Sequence, residues 1–226
     1  MNGILLVDKP KDWTSHDVVA KIRNVLKKET GKKVKVGHTG TLDPFATGLM
    51  IVVAGSYTKR AGEFSKLGKT YEAELTLGST SSTGDIEGAI KKFSGGEPSL
   101  DQVQKILESF VGEIEQTPHK FSAVKVGGQR AYKLARAGKE IKLQPRKVKV
   151  YSIQLTDYSY PKLKIVAEVS SGTYIRSLAE DIGQQLGTGA YLSALRRTKV
   201  SNFKVEDAKT IDELSKYEII QLINRA

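Results

Sequence analysis

Residues 147–169 read KVKVYSIQLTDYSYPKLKIVAEV. Two alternating segments, 147–155 and 163–169, follow one another here, and Leu163, Ile165, Ala167 and Val169 share one face. A period of two is the mark of a half-buried strand, so the stretch predicts two successive strands. On its C-terminal side, Ile175, Leu178, Ala179, Ile182 and Leu186 recur at helical spacing between Ser171-Gly172-Thr173 and Gly187. A short helix through Leu192–Leu195 is then expected to lead into Arg196-Arg197. On the N-terminal side lie a segment of 120–146 read as an excursion from the core and a helix with Leu100, Val103, Ile106, Leu107 and Phe110 on one face. Ser99 and Gln102 form its capping box. Further back are strands at 70–77 and 49–54, a helix capped by Ser15 with Val18, Val19, Ile22, Val25 and Leu26 inward, and an opening strand at 3–7. Strands and helices mix without regular alternation, which predicts an α+β fold on a mainly antiparallel sheet flanked by helices. The chain contains neither an internal repeat nor a low-complexity linker, so one domain spanning 1–226 is expected, with the basic segment inserted at about 120–146.

The composition narrows the function. The 226 residues carry 36 Lys+Arg against 25 Asp+Glu, a formal net charge of +11. That excess favours a polyanionic partner over a small neutral substrate. It is also concentrated: residues 1–70 hold 13 basic and 6 acidic side chains, and residues 120–149 hold 10 basic side chains with Glu140 as their single acid. Clustering of this kind suits phosphate contacts, although a solvated surface would show it too. No run approaches the roughly 20 apolar residues of a membrane span, and the opening MNGILLVDKP meets a charge where a signal peptide would stay apolar. A cytoplasmic protein without a membrane partner is expected. Cysteine is absent and His16, His38 and His119 are scattered, which leaves no thiolate chemistry and no metal site to propose.

The most unusual segment is GHTGTLDPFATG, residues 37–48. Gly37, Gly40 and Gly48 permit close approach of the backbone to a ligand, Pro44 stiffens the chain, and Asp43 stands at the centre. The segment lacks the spacing of a phosphate-binding loop and runs into a strand instead of a helix N-terminus. Asp43 reads either as an Asp-Pro turn or as a carboxylate kept ionised by neighbouring positive charge, able to act as nucleophile or proton acceptor. Arg176, at the start of a helix, reads either as a surface ion pair or as a rigid bidentate partner for such a carboxylate. Tyr71 suits core packing or base stacking, His38 a loop hydrogen bond or a nucleic-acid contact, and Leu195 the core.

Taken in order, these segments resemble the TruB family of tRNA pseudouridine synthases. GILLVDKPKDWTS is similar to the family's opening motif with Lys9 and Pro10, VGHTGTLDPFATG to its catalytic loop, and GKTYEAELTLGSTSSTGD to its tyrosine-bearing strand. SAVKVGGQRAYKLAR, SSGTYIRSLAEDIG and ALRRTKVSNF resemble later motifs. The resemblance implies that Asp43 is the catalytic aspartate and Arg176 its partner, and that Tyr71 stacks on the target uracil. It further implies that Leu195 lines the base pocket, that His38 fills the stack left by a flipped nucleotide, and that Tyr174 and Lys9 join the substrate-binding residues. Lys125, Arg130, Lys133 and Arg136 are the expected RNA clamp. The implied reaction converts uridine to pseudouridine in the T arm of tRNA, at position 55, by base flipping, and needs neither metal nor redox cofactor. One departure stands out: where relatives often have consecutive prolines before the SAxK segment, this chain has Thr117-Pro118-His119-Lys120. With about 20 residues after Phe203, no separate C-terminal RNA-binding domain is expected. A monomer acting without guide RNA is expected, in preference to a guide-dependent synthase or a non-catalytic RNA-binding module.

Overall fold

The computed structural model describes residues 2–93, 95–122, 124–139 and 141–214, apart from the side chains of residues 125, 132 and 136. In chain order the elements are β1 (Gly3–Lys9), α1 (Ser15–Thr30), β2 (Val36–His38), β3 (Thr47–Ala54), α2 (Ala61–Ser65), β4 (Lys69–Leu77), β5 (Ser79–Ser81), β6 (Ile90–Lys92), α3 (Leu100–Ser109) and β7 (Gly112–Gln116). They continue with β8 (Lys125–Val126), β9 (Gln129–Arg130), α4 (Ala131–Arg136), β10 (Arg146–Ser159), β11 (Lys162–Val169), α5 (Ile175–Gln185), β12 (Ala190–Val200), β13 (Phe203–Lys204), β14 (Lys209–Thr210) and α6 (Ile211–Leu214). This is the expected α+β fold, with a large, mainly antiparallel sheet and flanking helices. The chain is organised as two compact units, Met1–Tyr71 with the chain from Leu195 onward, and Glu72–Ala194.

In the first unit the strand order is β14-β1-β3-β12, with β2 also on β3 and β13 on β12. β1 and β3 run antiparallel from Gly3↔Ala54 to Lys9↔Gly48, while β12 joins β3 in parallel at Arg196↔Thr47. Residues 48–54 of β3 are all buried, which explains an unbroken apolar run where alternation would mark a one-faced strand. Leu49 and Ile51 meet Val200 and Val205, with Phe64 and Phe203 packed against them. Helix α1 turns Val18, Val19, Ile22 and Leu26 into the core, each contributing about 1.5–3 kcal/mol of burial. Its cap lies one residue before the expected Ser15. Thr14 accepts from the Asp17 amide while the Asp17 carboxylate accepts from the Thr14 amide, a reciprocal pair that Ser15 cannot make because its hydroxyl is bonded to Leu42.

The second unit carries the order β4-β11-β10-β7, with β4 contributing from Glu72 on. β10 and β11 pair antiparallel from Val150↔Val169 to Ser159↔Lys162, and Leu163, Ile165, Ala167 and Val169 are buried as their alternation predicts. α3 has the predicted Ser99–Gln102 capping box. The basic excursion is a small hairpin, β8 with β9, turning through Gly127 and Gly128 at φ 56° and 82° and followed by α4. Positive φ at two consecutive turn residues is what a tight hairpin requires of glycine.

One element differs from expectation. Residues 192–195 are not helical but belong to β12. Four residues cannot distinguish the two periods, and pairing with neighbouring strands decides in favour of the extended form.

Candidate active site

The loop from Gly37 to Gly48 belongs to the first unit and is fastened from several sides. The Ser15 hydroxyl at the start of α1 accepts from the Leu42 amide at 2.8 Å and donates to the Leu42 carbonyl at 3.0 Å. The Thr39 amide and hydroxyl both donate to the Ile51 carbonyl, at 3.1 and 3.2 Å. Leu42, Phe45 and Ala46 are buried, so the apolar side chains around Asp43 anchor the loop while Asp43 itself stays half-exposed. The Ala46 amide donates to the Asp43 carbonyl at 3.1 Å, closing a turn at Asp43-Pro44. The turn reading of Asp-Pro is therefore correct, and the turn is closed by backbone atoms.

Two cations beneath the loop hold it in shape. Arg197 is 2% exposed and donates from Nε to the Leu49 carbonyl at 2.6 Å and from an Nη to the Gly40 carbonyl at 3.1 Å. A Cβ on Gly40 would stand 3.4 Å from that guanidinium, and one on Gly48, whose φ is 105°, would strike the Arg197 backbone. Of the three loop glycines, Gly48 is thus the one that needs both positive φ and the absence of a side chain, while a Cβ on Gly40 would make an ordinary contact. Lys9 is completely buried. Its ammonium donates to the carbonyls of Pro10 at 2.8 Å, Trp13 at 2.6 Å and Pro44 at 3.1 Å, and the Asp12 amide adds a bond to the Pro44 carbonyl at 2.9 Å. These bonds and its burial give Lys9, expected among the substrate-binding residues, the task of bracing the turn next to Asp43.

His38 ends β2, paired with Val52, and is half-buried. Tyr71 and Leu195 are both buried, on β4 and β12.

In the second unit, Arg176 occupies the first turn of α5 and is 5% exposed, which excludes the surface reading. One Nη donates to the Thr83 carbonyl at 3.1 Å and to Asp85 Oδ2 at 3.0 Å, and the other to the Phe121 carbonyl at 3.1 Å. Asp85 is itself buried and accepts from the Thr83 hydroxyl at 2.6 Å and the Glu87 amide at 3.1 Å. A buried ion pair requires such further hydrogen bonds to offset the loss of water. Sequence reasoning missed Asp85 as a site residue, although it closes the quoted GSTSSTGD segment.

Tyr174 caps α5 without a side-chain cap of its own. The Gln116 side chain replaces one, donating to the Tyr174 carbonyl at 3.0 Å and accepting from its amide at 2.7 Å. Arg146 lies over the Tyr174 ring at 4.8 Å and donates to the Gly172 carbonyl at 3.0 Å. Close by, burial pushes the Glu180 carboxyl up to about 7, helped by the neighbouring Asp181 charge. Burial, with the Arg176 charge second, lowers His119 to about 4. In the excursion Arg130 and Lys133 are exposed, while the side chains of Lys125 and Arg136 lie outside those described.

Residues 23–175 match the N-terminal domain model of the TruB family of pseudouridylate synthases, and residues 176–222 match the tRNA pseudouridylate synthase B C-terminal domain. The chain belongs to the TruB family. A tRNA pseudouridine synthase B of Aquifex aeolicus is 44% identical over 216 residues, covering 94% of this chain and 73% of the relative. One from Phocaeicola vulgatus is 44% identical over 98% of this chain and 97% of its own length. As a TruB-family enzyme the protein is an isomerase that converts uridine to pseudouridine in tRNA. Among solved structures, a chain of a Cbf5-Nop10-Gar1 complex superposes with a TM-score of 0.73 at 31% identity over 95% of this chain. This chain spans about half, 54%, of that protein. Among the described residues no cluster of His, Asp and Glu could hold a metal ion, and no helix is long and apolar enough to cross a membrane.

Proposed function

We propose that the enzyme modifies the T-arm uridine at position 55 of tRNA, acting on an extruded base and without a guide RNA. Asp43 is the catalytic carboxylate and Arg176 the guanidinium that keeps it ionised. Tyr71 stacks on the uracil, Leu195 and Tyr174 border the base, and His38 occupies the gap in the RNA stack. The observation that carries this reading is the loop itself: Leu42, Pro44, Phe45 and Ala46 beside Asp43 are held by burial or hydrogen bonds, while Asp43 remains half-exposed. A reactive group on a rigid frame spends little free energy on orientation when substrate arrives. Isomerisation breaks the bond from ribose C1′ to uracil N1 and rejoins C1′ to C5, with the C5 proton lost and a proton gained at N1. The same carboxylate serves whether it adds to the base or attacks the ribose.

Extrusion of a stacked base costs a few kcal/mol, which phosphate contacts offset. Exposed Arg130 and Lys133 support a binding role for the basic excursion, with Lys125 and Arg136 proposed beside them. The test is incubation of the purified protein with an unmodified tRNA transcript and mapping of pseudouridine at every uridine. Product confined to position 55 with no added RNA is expected. Product elsewhere, or dependence on a second RNA, would overturn the substrate assignment and favour a guide-dependent synthase.

A further inference from the structure

His119 lies between β7 and the basic excursion, and its surroundings give it a task. The Phe121 amide donates to His119 Nδ1 at 3.3 Å, and the two rings stack with centroids 5.7 Å apart and planes 22° from parallel. With Nδ1 accepting, the neutral imidazole must carry its proton on Nε2. That nitrogen faces Glu180 Oε1 at 3.8 Å. Glu180 lies one helical turn after Arg176 on α5, and its carboxyl comes close to the Gly84 backbone. The segment carrying His119 also supplies the Phe121 carbonyl that accepts from Arg176.

We propose that His119 and Glu180 form a positioning pair that seats the Phe121 carbonyl on the Arg176 guanidinium, and that the pair tightens when Glu180 carries its charge. The proposal rests on Arg176 belonging to the active site. A carboxylate attracts the Nε2 proton, whereas a protonated Glu180 meets that donor with a second donor or a weakly charged oxygen. The groups acting on Glu180 are Asp181 and Arg176 from its own helix, Asp85 from the loop after β5, and His119 and Lys120 at the start of the excursion. Asp181 and Asp85 oppose its ionisation and Arg176 and Lys120 favour it, while burial is the largest influence and opposes it. The switch therefore falls near neutrality, with the tight state on the alkaline side. Since His119 titrates near 4, it stays neutral through that range and the step belongs to Glu180.

The test is the single-turnover rate at saturating unmodified tRNA transcript, from pH 5.5 to 8.5. The native enzyme should rise about fivefold through an apparent midpoint near 7, the weight of about one net hydrogen bond. Glu180→Gln keeps the shape and should abolish this step, holding the rate near the acid-side value. His119→Phe preserves the ring stack but removes the Nε2 proton and should abolish it likewise. The double variant should be no slower than His119→Phe alone, because that substitution already removes the partner Glu180 acts on, along with the Nδ1 acceptor of the Phe121 amide. A Glu180→Gln enzyme that retains the step, a native profile without it, or losses that multiply in the double variant would overturn the proposal. Failure of the wider reading is separable: an Asp43→Asn enzyme with normal turnover removes Asp43 from catalysis whatever the pH profile shows.

Discussion

Lys9→Met replaces a completely buried ammonium with an apolar chain of similar volume. The ammonium donates to three carbonyls at 2.6–3.1 Å, and hydrogen bonds from a charged group contribute about 1.5–3 kcal/mol each. Returning that charge to water in the unfolded chain recovers several kcal/mol, so the net loss is smaller than the sum and should be about 3 kcal/mol. For a chain of this size each kcal/mol lowers the melting temperature by about 2–4 °C, giving a fall of about 6–12 °C. The functional effect should be selective, because the Pro44 carbonyl released from Lys9 adjoins Asp43. Single-turnover rates should drop at least about tenfold, as expected for displacement of a catalytic group, while tRNA affinity changes little. Calorimetry, filter binding and single-turnover kinetics on the same preparation measure the three quantities. A melting temperature within about 2 °C of the native protein together with normal turnover would refute the bracing role.

Gly48→Ala should destabilise the first unit by more than about 2 kcal/mol in urea unfolding, since a Cβ at φ 105° would enter the Arg197 backbone. Neutralising Lys125, Arg130, Lys133 and Arg136 together should weaken tRNA binding and flatten its salt dependence, with turnover recovered at high tRNA, because each lost phosphate contact removes released counterions. An unchanged salt slope would make the excursion an ordinary solvated surface and move the binding face to Lys27–Lys35.

Much of the fold is legible in residue order because local pattern and tertiary demand agree. Leu163, Ile165, Ala167 and Val169 alternate and are buried on one face, and Ser99 with Gln102 caps α3 as their spacing requires. Legibility fails where the deciding interaction is distant in sequence. Thr14 takes the cap of α1 because Ser15 is engaged with Leu42, 27 residues away. Residues 192–195 extend because they lie within a strand whose partners no local window contains. The same reason hides the supports of the site. Lys9 reads as a substrate-binding residue and Arg197 stands out by no local pattern, yet both are buried under the loop with their charges on backbone carbonyls. Asp85 and Glu180 acquire meaning only when the fold brings them to Arg176 and His119. The half-exposed Asp43 could be singled out from its glycine-rich setting, but what holds it rigid could not.

The central claim is that the Asp43 carboxylate performs the isomerisation. Asp43→Asn preserves the shape of the side chain and removes its charge, while the bonds of Ser15, Thr39 and Arg197 that hold the loop stay in place. With an unmodified tRNA transcript at saturating protein and extended incubation, this variant should bind with near-native affinity and form no pseudouridine at any uridine. Pseudouridine accumulating at a rate near that of the native enzyme would contradict the account.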